Sequence, residues 1–215
     1  GADGQPPLGA EDDLDRDRVG VLWALLFLSS PALAQGPPVR FVAPDWGGGS
    51  WLKGNTHTHT TESDGDSPPE VVVEWYRDHG YDFLVLSDHN VFTDPARFAH
   101  LQDSSFLLIA GEEVTSSFER RPVHVNGLGI PGLVEPRTDT TMVGTIQANV
   151  DAIREVEGVP HVNHPNYVRS LRPEDIAAIE GERYFEVYNG HRAVLDHGDD
   201  CTVSTDVLWD RAMTL

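Results

Sequence analysis

The sequence predicts an α/β fold, either a barrel of parallel strands or part of one. Three observations lead there. Short apolar stretches alternate with helical segments along most of the chain. The helical segments open on Pro, Ser or Thr, and several stop at Gly, the expected punctuation of short helices between strands. The strands end in His, Asp and Glu, and parallel α/β folds gather their chemistry at strand carboxyl ends. Strand–helix units of this kind imply right-handed crossovers and fit a barrel better than a sandwich.

The elements follow in order. Residues 1–18, "GADGQPPLGAEDDLDRDR", are polar, acidic and rich in Gly and Pro, and read as a disordered or upstream segment. Residues 19–34 place an apolar run, Val19 to Leu28, behind Arg16 and Arg18, with "ALA" before Gln35. This is the pattern of a secretory signal peptide. The run is shorter than the roughly 20 residues a membrane-spanning helix needs, so the expectation is a secreted or periplasmic protein free of the membrane after cleavage. Residues 35–50 read as a linker and residues 51–215 as one domain.

Within that domain "WLKGNTHTHT" reads as a short strand ending in a polar loop. Ser67 then serves as an N-cap, with Pro68 inside the helix "PPEVVVEWYRDHG" and Glu70 completing a capping box. "YDFLVLSDHN" is a buried strand and "DPARFAHLQD" a short helix. "FLLIAGEEVTS" and "VHVNGLGI" are strands, the second able to pair with the first. "TTMVGTIQANVDAIREVEG" is the longest helix. "VPHVNHPN" is a strand, "RPEDIAAIEG" a capped helix, "RYFEVYNG" a strand and "STDVLWDRAMTL" a final helix.

Totals narrow the function classes. The chain has 215 residues, with 35 acidic against 15 basic and a formal charge of −20. That balance excludes non-specific nucleic-acid binding, which needs a basic face. A single cysteine, Cys201, excludes an internal disulfide framework and a thiolate zinc cluster. Lys53 is the one lysine.

The strand ends carry His57 and His59, Asp88 and His89, Glu112 and Glu113, then His161 and His164, with His124 within a strand. A last group is Glu186, Asn189 and His191. A spacing of two puts His57 and His59 on one face of their strand. Imidazole with carboxylate suits Zn, Mn or Fe, and so many candidate ligands imply two or three divalent ions. A multinuclear centre suggests metal-assisted hydrolysis. No G-x-S-x-G elbow supports a serine nucleophile.

These motifs resemble, in order, those of the polymerase and histidinol phosphatase (PHP) family of metal-dependent phosphoesterases. "NTHTHTTESDG", "LSDHN", "AGEEVT" with "VHVNGLG", "VNHPN", "FEVYNG" and "LWDRAMTL" carry the resemblance, from Trp51 to Leu215. It implies a distorted (β/α)7 barrel and hydrolysis of small-molecule or nucleotide phosphate esters by a metal-bound hydroxide. The alternatives are hydrolysis of a non-phosphate bond and a non-catalytic binding domain. The amidohydrolase group also begins with His-x-His but uses a mid-chain carboxylated lysine, and no lysine follows Lys53. Position by position, the resemblance implies metal ligands at His57, His59, Asp64, His89, Glu113, His124 and His164, with Asp88 orienting His89. It leaves His191 as a candidate leaving-group donor and Arg169 and Arg192 as candidate phosphate-binding residues. The family's closing Asp-x-His pair does not occur before Leu215. The expectation is therefore a truncated domain missing its last strand or strands, or an incomplete site.

Overall fold

The computed structural model describes residues 48–215. The expectations for residues 1–18 and 19–34, and nearly all of the linker at 35–50, lie outside the described residues. The described chain is mixed α/β. Its strands form two three-stranded sheets, and among the described residues they do not close into a barrel.

The first sheet is parallel, in the order β1 (Gly54–Asn55), β2 (Phe83–Val85), β3 (Leu107–Ile109). The helix α1 (Pro69–Asp78) connects β1 to β2, and a 3-10 turn at Pro95–Leu101 connects β2 to β3. Val73, Leu84, Leu86, Phe98, Leu101, Phe106 and Leu108 form the core beneath them. The capping box expected at the start of α1 does not form. Pro68 takes the N-cap position, and the Ser67 hydroxyl donates to Asp66 instead. Proline has no N–H to give and fixes its own φ, so this helix starts without a side-chain cap.

The second sheet is antiparallel: β4 (Gly111–Phe118), β5 (Arg121–Leu128) and β6 (Val159–Val162). The sequence stretch "FLLIAGEEVTS" is therefore two strands. β3 pairs with β2, and the chain crosses to the other sheet at Ala110. Gly111 makes the crossing possible, because a Cβ there would lie 2.4 Å from Val85 Cγ1 and 3.0 Å from the Gly127 carbonyl. β4 and β5 are joined by the two-residue turn Glu119-Arg120, with φ of 48° and 67°. Two positive φ values give the twist that a tight hairpin needs. The helix α2 (Met142–Glu155) covers this sheet, and Thr141 caps it by accepting from the Gly144 N–H at 2.9 Å. Its buried residues Met142, Ile146, Val150 and Ile153 recur at helical spacing and pack on Val114, Val123, Val125 and Val162.

Two isolated pairings tie the sheets to their surroundings. His89, just past β2, pairs with Glu113 in β4, and Phe185 pairs with Val162 at the end of β6. The expected strand "RYFEVYNG" is thus reduced to a single bridge, followed by the helix α4 (Thr205–Ala212). A short helix α3 (Pro173–Ala177) precedes it. No helix among the described residues is long and apolar enough to cross a membrane.

Candidate metal centre

The two bridging pairs place the chemistry. The His89–Glu113 pairing brings the end of the parallel sheet onto the antiparallel one, and the Val162–Phe185 pairing brings Glu186 toward the same place.

Glu113 is the hub. It points from β4 into the site and is fully buried. Its Oε1 lies 3.3 Å from His57 Nε2, 3.1 Å from His124 Nδ1 and 3.1 Å from His164 Nε2. Its Oε2 lies 3.1 Å from His59 Nε2 and 2.8 Å from His89 Nδ1. The Asn163 amide donates to Oε1 at 2.8 Å. Burial pushes the Glu113 carboxyl up, but the imidazoles, led by His124 and His164, hold it well below its usual value.

His57 and His59 lie beyond the two-residue β1, on a segment that stays extended. Thr58 exchanges contacts with Ser87: Ser87 N–H donates to the Thr58 carbonyl at 2.8 Å, and Thr58 N–H donates to Ser87 Oγ at 2.9 Å. Thr58 and Thr60 are buried, so the alternate residues His57 and His59 turn to the other side. Their Nε2 atoms come within 3.1 Å of each other. Burial opposes a charge on His57, yet Glu113 and Glu186 outweigh it and raise its pKa to about 10. The His59 pKa is also raised, with Glu113 and Asp64 overcoming burial. Burial lowers the pKa of His124.

Asp64 reaches the rim on a tight turn. The Thr60 carbonyl accepts from both Ser63 N–H and Gly65 N–H, at 3.1 and 2.9 Å. A Cβ on Gly65 would meet the His59 and Thr60 backbone at 2.6 Å, so this turn closes only with glycine. Asp64 Oδ1 lies 2.6 Å from His59 Nδ1 and Oδ2 lies 3.6 Å from His89 Nε2. Its pKa is lowered, with His59 and His89 overriding the opposing effect of burial.

Asp88 does not orient His89. It is fully buried and accepts from Thr60 N–H at 2.7 Å, Thr60 Oγ1 at 2.8 Å and Ser63 Oγ at 2.7 Å. Neighbours in an extended segment point to opposite faces, so Asp88 braces the loop bearing His59 while His89 enters the site. His89 Nδ1 is instead 2.6 Å from Thr115 Oγ1.

The donor set fits divalent metal ions. Three groups can each offer ligand atoms within 4.8 Å of one another: His57, Glu113 and His164; His59, Asp64 and His89; His89, Glu113 and His124. His124 Nδ1 and Glu113 Oε2 are buried without a well-aligned hydrogen bond, although other ring nitrogens or oxygens crowd them. Imidazole nitrogens and carboxylate oxygens that converge at this spacing are what a shared cation would join.

A cavity of about 270 Å³ opens over this cluster, with Tyr167, Asn189, His191 and Val194 completing its wall. His191 is exposed, and its Nδ1 accepts from the Ala193 N–H at 3.2 Å. Arg169 and Arg192 are not in the wall. Arg169 pairs with Asp199 and donates to Thr202 Oγ1 at 2.5 Å, after a turn in which Val168 and Arg169 both have positive φ. Arg192 is exposed. His79 stacks on Trp75 with ring centres 3.9 Å apart, and His161 Nδ1 is 3.0 Å from Asn163 Oδ1.

Comparison with known proteins finds structures of similar fold and one partial relative. The structure superposes on a candidate metal-dependent phosphoesterase from Bifidobacterium adolescentis with a TM-score of 0.55. The identity is 15%, over 76% of this chain and 84% of that one. The chain shares the fold of that protein. A two-domain Bacteroides vulgatus protein, in which a PHP-like metal-dependent phosphoesterase is predicted, also matches. Its TM-score is 0.42 and its identity 22%, over 55% of this chain and 36% of that one. Among curated proteins, a 5'-3' exoribonuclease from Haemophilus influenzae is 33% identical over 110 residues. That match spans 50% of this chain and 37% of the relative's length. No family model matches the chain.

Several residues of this site carry no signal in the sequence motifs. Asn163 sits beside the ligand motif, and its amide holds Glu113. Thr115 holds His89, and Tyr167 faces His164 with ring centres 5.3 Å apart. Glu186 is visible at a strand end, but the sequence assigns it no role. Only a three-dimensional contact gives it one, across 129 residues of sequence to His57.

Proposed function

We propose that this chain is a PHP-family phosphoesterase that hydrolyses small-molecule or nucleotide phosphate esters with two or three divalent ions, Mn, Zn or Fe. Its strands are read as part of the family's distorted (β/α)7 barrel, and residues 19–34 as an export signal. The observation that carries the reading is the single buried carboxylate of Glu113 among five imidazoles, shared between two of the three potential ligand groups. A carboxylate shared in this way could serve more than one ion of a multinuclear centre.

His57, Glu113 and His164 would hold one ion, His89, Glu113 and His124 a second, and His59 with Asp64 and His89 would serve the exposed side. The ions, when bound, supply Lewis-acid activation of water and neutralise charge on the phosphoryl group. The protein's part is positioning and proton supply. The Ala193 N–H occupies His191 Nδ1, which leaves the proton of the neutral ring on Nε2. Its position in the cavity wall supports His191 as the donor to a leaving oxygen. Tyr167 and Val194 offer an aromatic and an apolar wall to the alcohol side of the ester. The relative named as an exoribonuclease supports nucleotide esters as a substrate class. The net charge of −20 disfavours tight holding of a long polyanion away from the site.

The test is metal content by mass spectrometry, together with hydrolysis of p-nitrophenyl phosphate, its diester and nucleoside phosphates. Metal-dependent hydrolysis that stops on chelation, and loss of both metal and activity in a His57→Ala, His59→Ala double variant, is expected. Undiminished hydrolysis by that variant overturns the assignment.

A further inference from the structure

We infer that Glu186 is a positioning residue of the metal centre, fixing both the tautomer of His57 and the backbone that carries His164. The inference rests on the metal-centre reading above and extends it to a residue that lies outside all three potential ligand groups.

Glu186 is held by three donors. Its Oε1 is 3.0 Å from His57 Nδ1 and accepts from Asn189 Nδ2 at 3.1 Å. Its Oε2 accepts from the His164 N–H at 2.8 Å. The side chains of Glu186 and His57 are 10% and 9% exposed, so water does not compete freely for these contacts. A carboxylate engaged in this way has little left for an ion. What it does is set the ring. With a carboxylate at Nδ1, the favourable tautomer of the neutral imidazole carries its proton there and leaves Nε2 as a lone pair. His57 Nε2 is the atom that faces Glu113 at 3.3 Å and His59 Nε2 at 3.1 Å. The nitrogen directed into the centre is thus the one freed to ligate.

The same carboxylate reaches a second ligand. His57 and His164 belong to one potential ion site, with Glu113, and their rings stack at 5.4 Å between centres. Glu186 holds the first by its ring and the second by its main chain. The pairing of Phe185 with Val162 makes this possible, because Glu186 N–H donates to the Val162 carbonyl at 2.9 Å, two residues before His164. Asn189 steadies the far side: its backbone N–H donates to Asp196 Oδ2 at 3.1 Å while its amide donates to Glu186.

Glu186→Gln is the informative variant because it keeps the shape. An amide has one acceptor oxygen for these three donors. If that oxygen keeps the His164 N–H, the NH2 group faces His57 Nδ1 and drives the ring proton to Nε2, the ligating atom. Zinc and manganese binding to the 215-residue chain should weaken about 10–100-fold in this variant, the usual effect of losing such a partner. Circular dichroism and Tm should stay close to the wild type. Nitrogen NMR of the zinc-saturated wild type should show a solvent-protected Nδ1 proton on His57, and that signal should be lost in E186Q. Glu186→Ala should weaken binding as well; if it fails to fold, E186Q alone decides. Wild-type affinity in E186Q, or an unchanged His57 Nδ1 signal, overturns the inference and leaves the metal centre standing. A wild-type chain that takes up no divalent ion overturns both.

Discussion

Glu112 and Glu113 are neighbours on β4, and both side chains are fully buried, but the two faces of the strand hold them in opposite states. Glu113 faces five imidazoles and is kept ionised well below the ordinary carboxyl range. Glu112 faces the loop after β5. Burial pushes its pKa up to about 7, only partly offset by the Val134 N–H on Oε2 at 2.9 Å, and the nearby charge of Glu135 adds to the rise. Its Oε1 has no partner. The same residue type at the same depth is thus an anion on one face and half neutral at pH 7 on the other. Burial alone does not determine charge in this protein; the partners on each face do.

The largest effect should come from neutralising the ionised member. Glu113→Gln keeps the shape but removes the carboxylate on which the five histidines converge. Metal affinity should fall by more than about 100-fold, beyond the effect expected for an outer partner, as read by calorimetric titration. The metal-free protein offers an independent readout. The raised pKa of His57, about 10, depends on Glu113 and Glu186, so its NMR titration midpoint should drop in this variant. Wild-type metal binding in E113Q would remove Glu113 from the centre.

The matching change on the other face should act on stability and not on metal. For Glu112 the folded-state pKa of about 7 lies above the usual 4.5. The folded protein therefore holds its proton more tightly than the unfolded chain does. The stability this group allows is fully present below pH 4.5 and is lost as the pH rises toward 7. Glu112→Gln cannot ionise and keeps an acceptor for Val134. Its advantage over the wild type should be near zero at pH 4.5 and grow to at most about 3 kcal/mol above pH 7, from about 1.4 kcal/mol per pKa unit. Urea unfolding of both proteins across that window measures the difference. A pH-independent difference would mean that Glu112 is not the titrating group.

Gly111 determines how closely β4 can lie, and so it affects both faces. Gly111→Ala places a Cβ 2.4 Å from Val85 Cγ1 and 3.0 Å from the Gly127 carbonyl. Overpacking of this kind should lower stability by about 2 kcal/mol. Tm should drop by roughly 2–4 °C per kcal/mol for a domain of this size. Metal affinity should weaken modestly too, because the strand that carries Glu113 has to shift. An unchanged Tm would show that the switch between sheets tolerates a side chain.

Much of the contrast on β4 is legible in the amino-acid sequence. Alternation along "GEEVTSS" puts Glu112 and Glu113 on opposite faces, and the family resemblance points to Glu113. The alternation of strands and helices also yields the mixed α/β class and the long helix that becomes α2. Of the antiparallel half, only the pairing of β5 with the strand before it is legible. Its tight turn is Glu119-Arg120, and neither residue advertises positive φ as Asn-Gly would. The capping box expected at Ser67 fails because two prolines follow it and the helix starts at the second. The Asp-His pair suggests a contact between Asp88 and His89, whereas extended backbone separates them and gives Asp88 to Thr60 and Ser63. Glu186 and Asn163 act through contacts that only the fold creates.

Asn163 provides the finest test of how the Glu113 face is maintained. Its amide donates to Glu113 Oε1 and to Asn126 Oδ1, both at 2.8 Å, and Asn126 Nδ2 donates in turn to the Thr56 carbonyl at 2.9 Å. The chain of amides therefore connects the carboxylate to the backbone just before His57, through two residues that are almost fully buried. Asn163→Ala removes one hydrogen bond to a charged acceptor and should weaken metal binding roughly tenfold, about 1.4 kcal/mol. Asn126→Ala touches no ligand, so its effect on metal should pass through Asn163 or through Thr56. A double-mutant cycle separates these routes. If the two losses do not add, Asn126 works by holding Asn163 on Glu113. Additive losses would instead assign Asn126 to the Thr56 backbone, making the placement of His57 a separate contribution from the charge of Glu113.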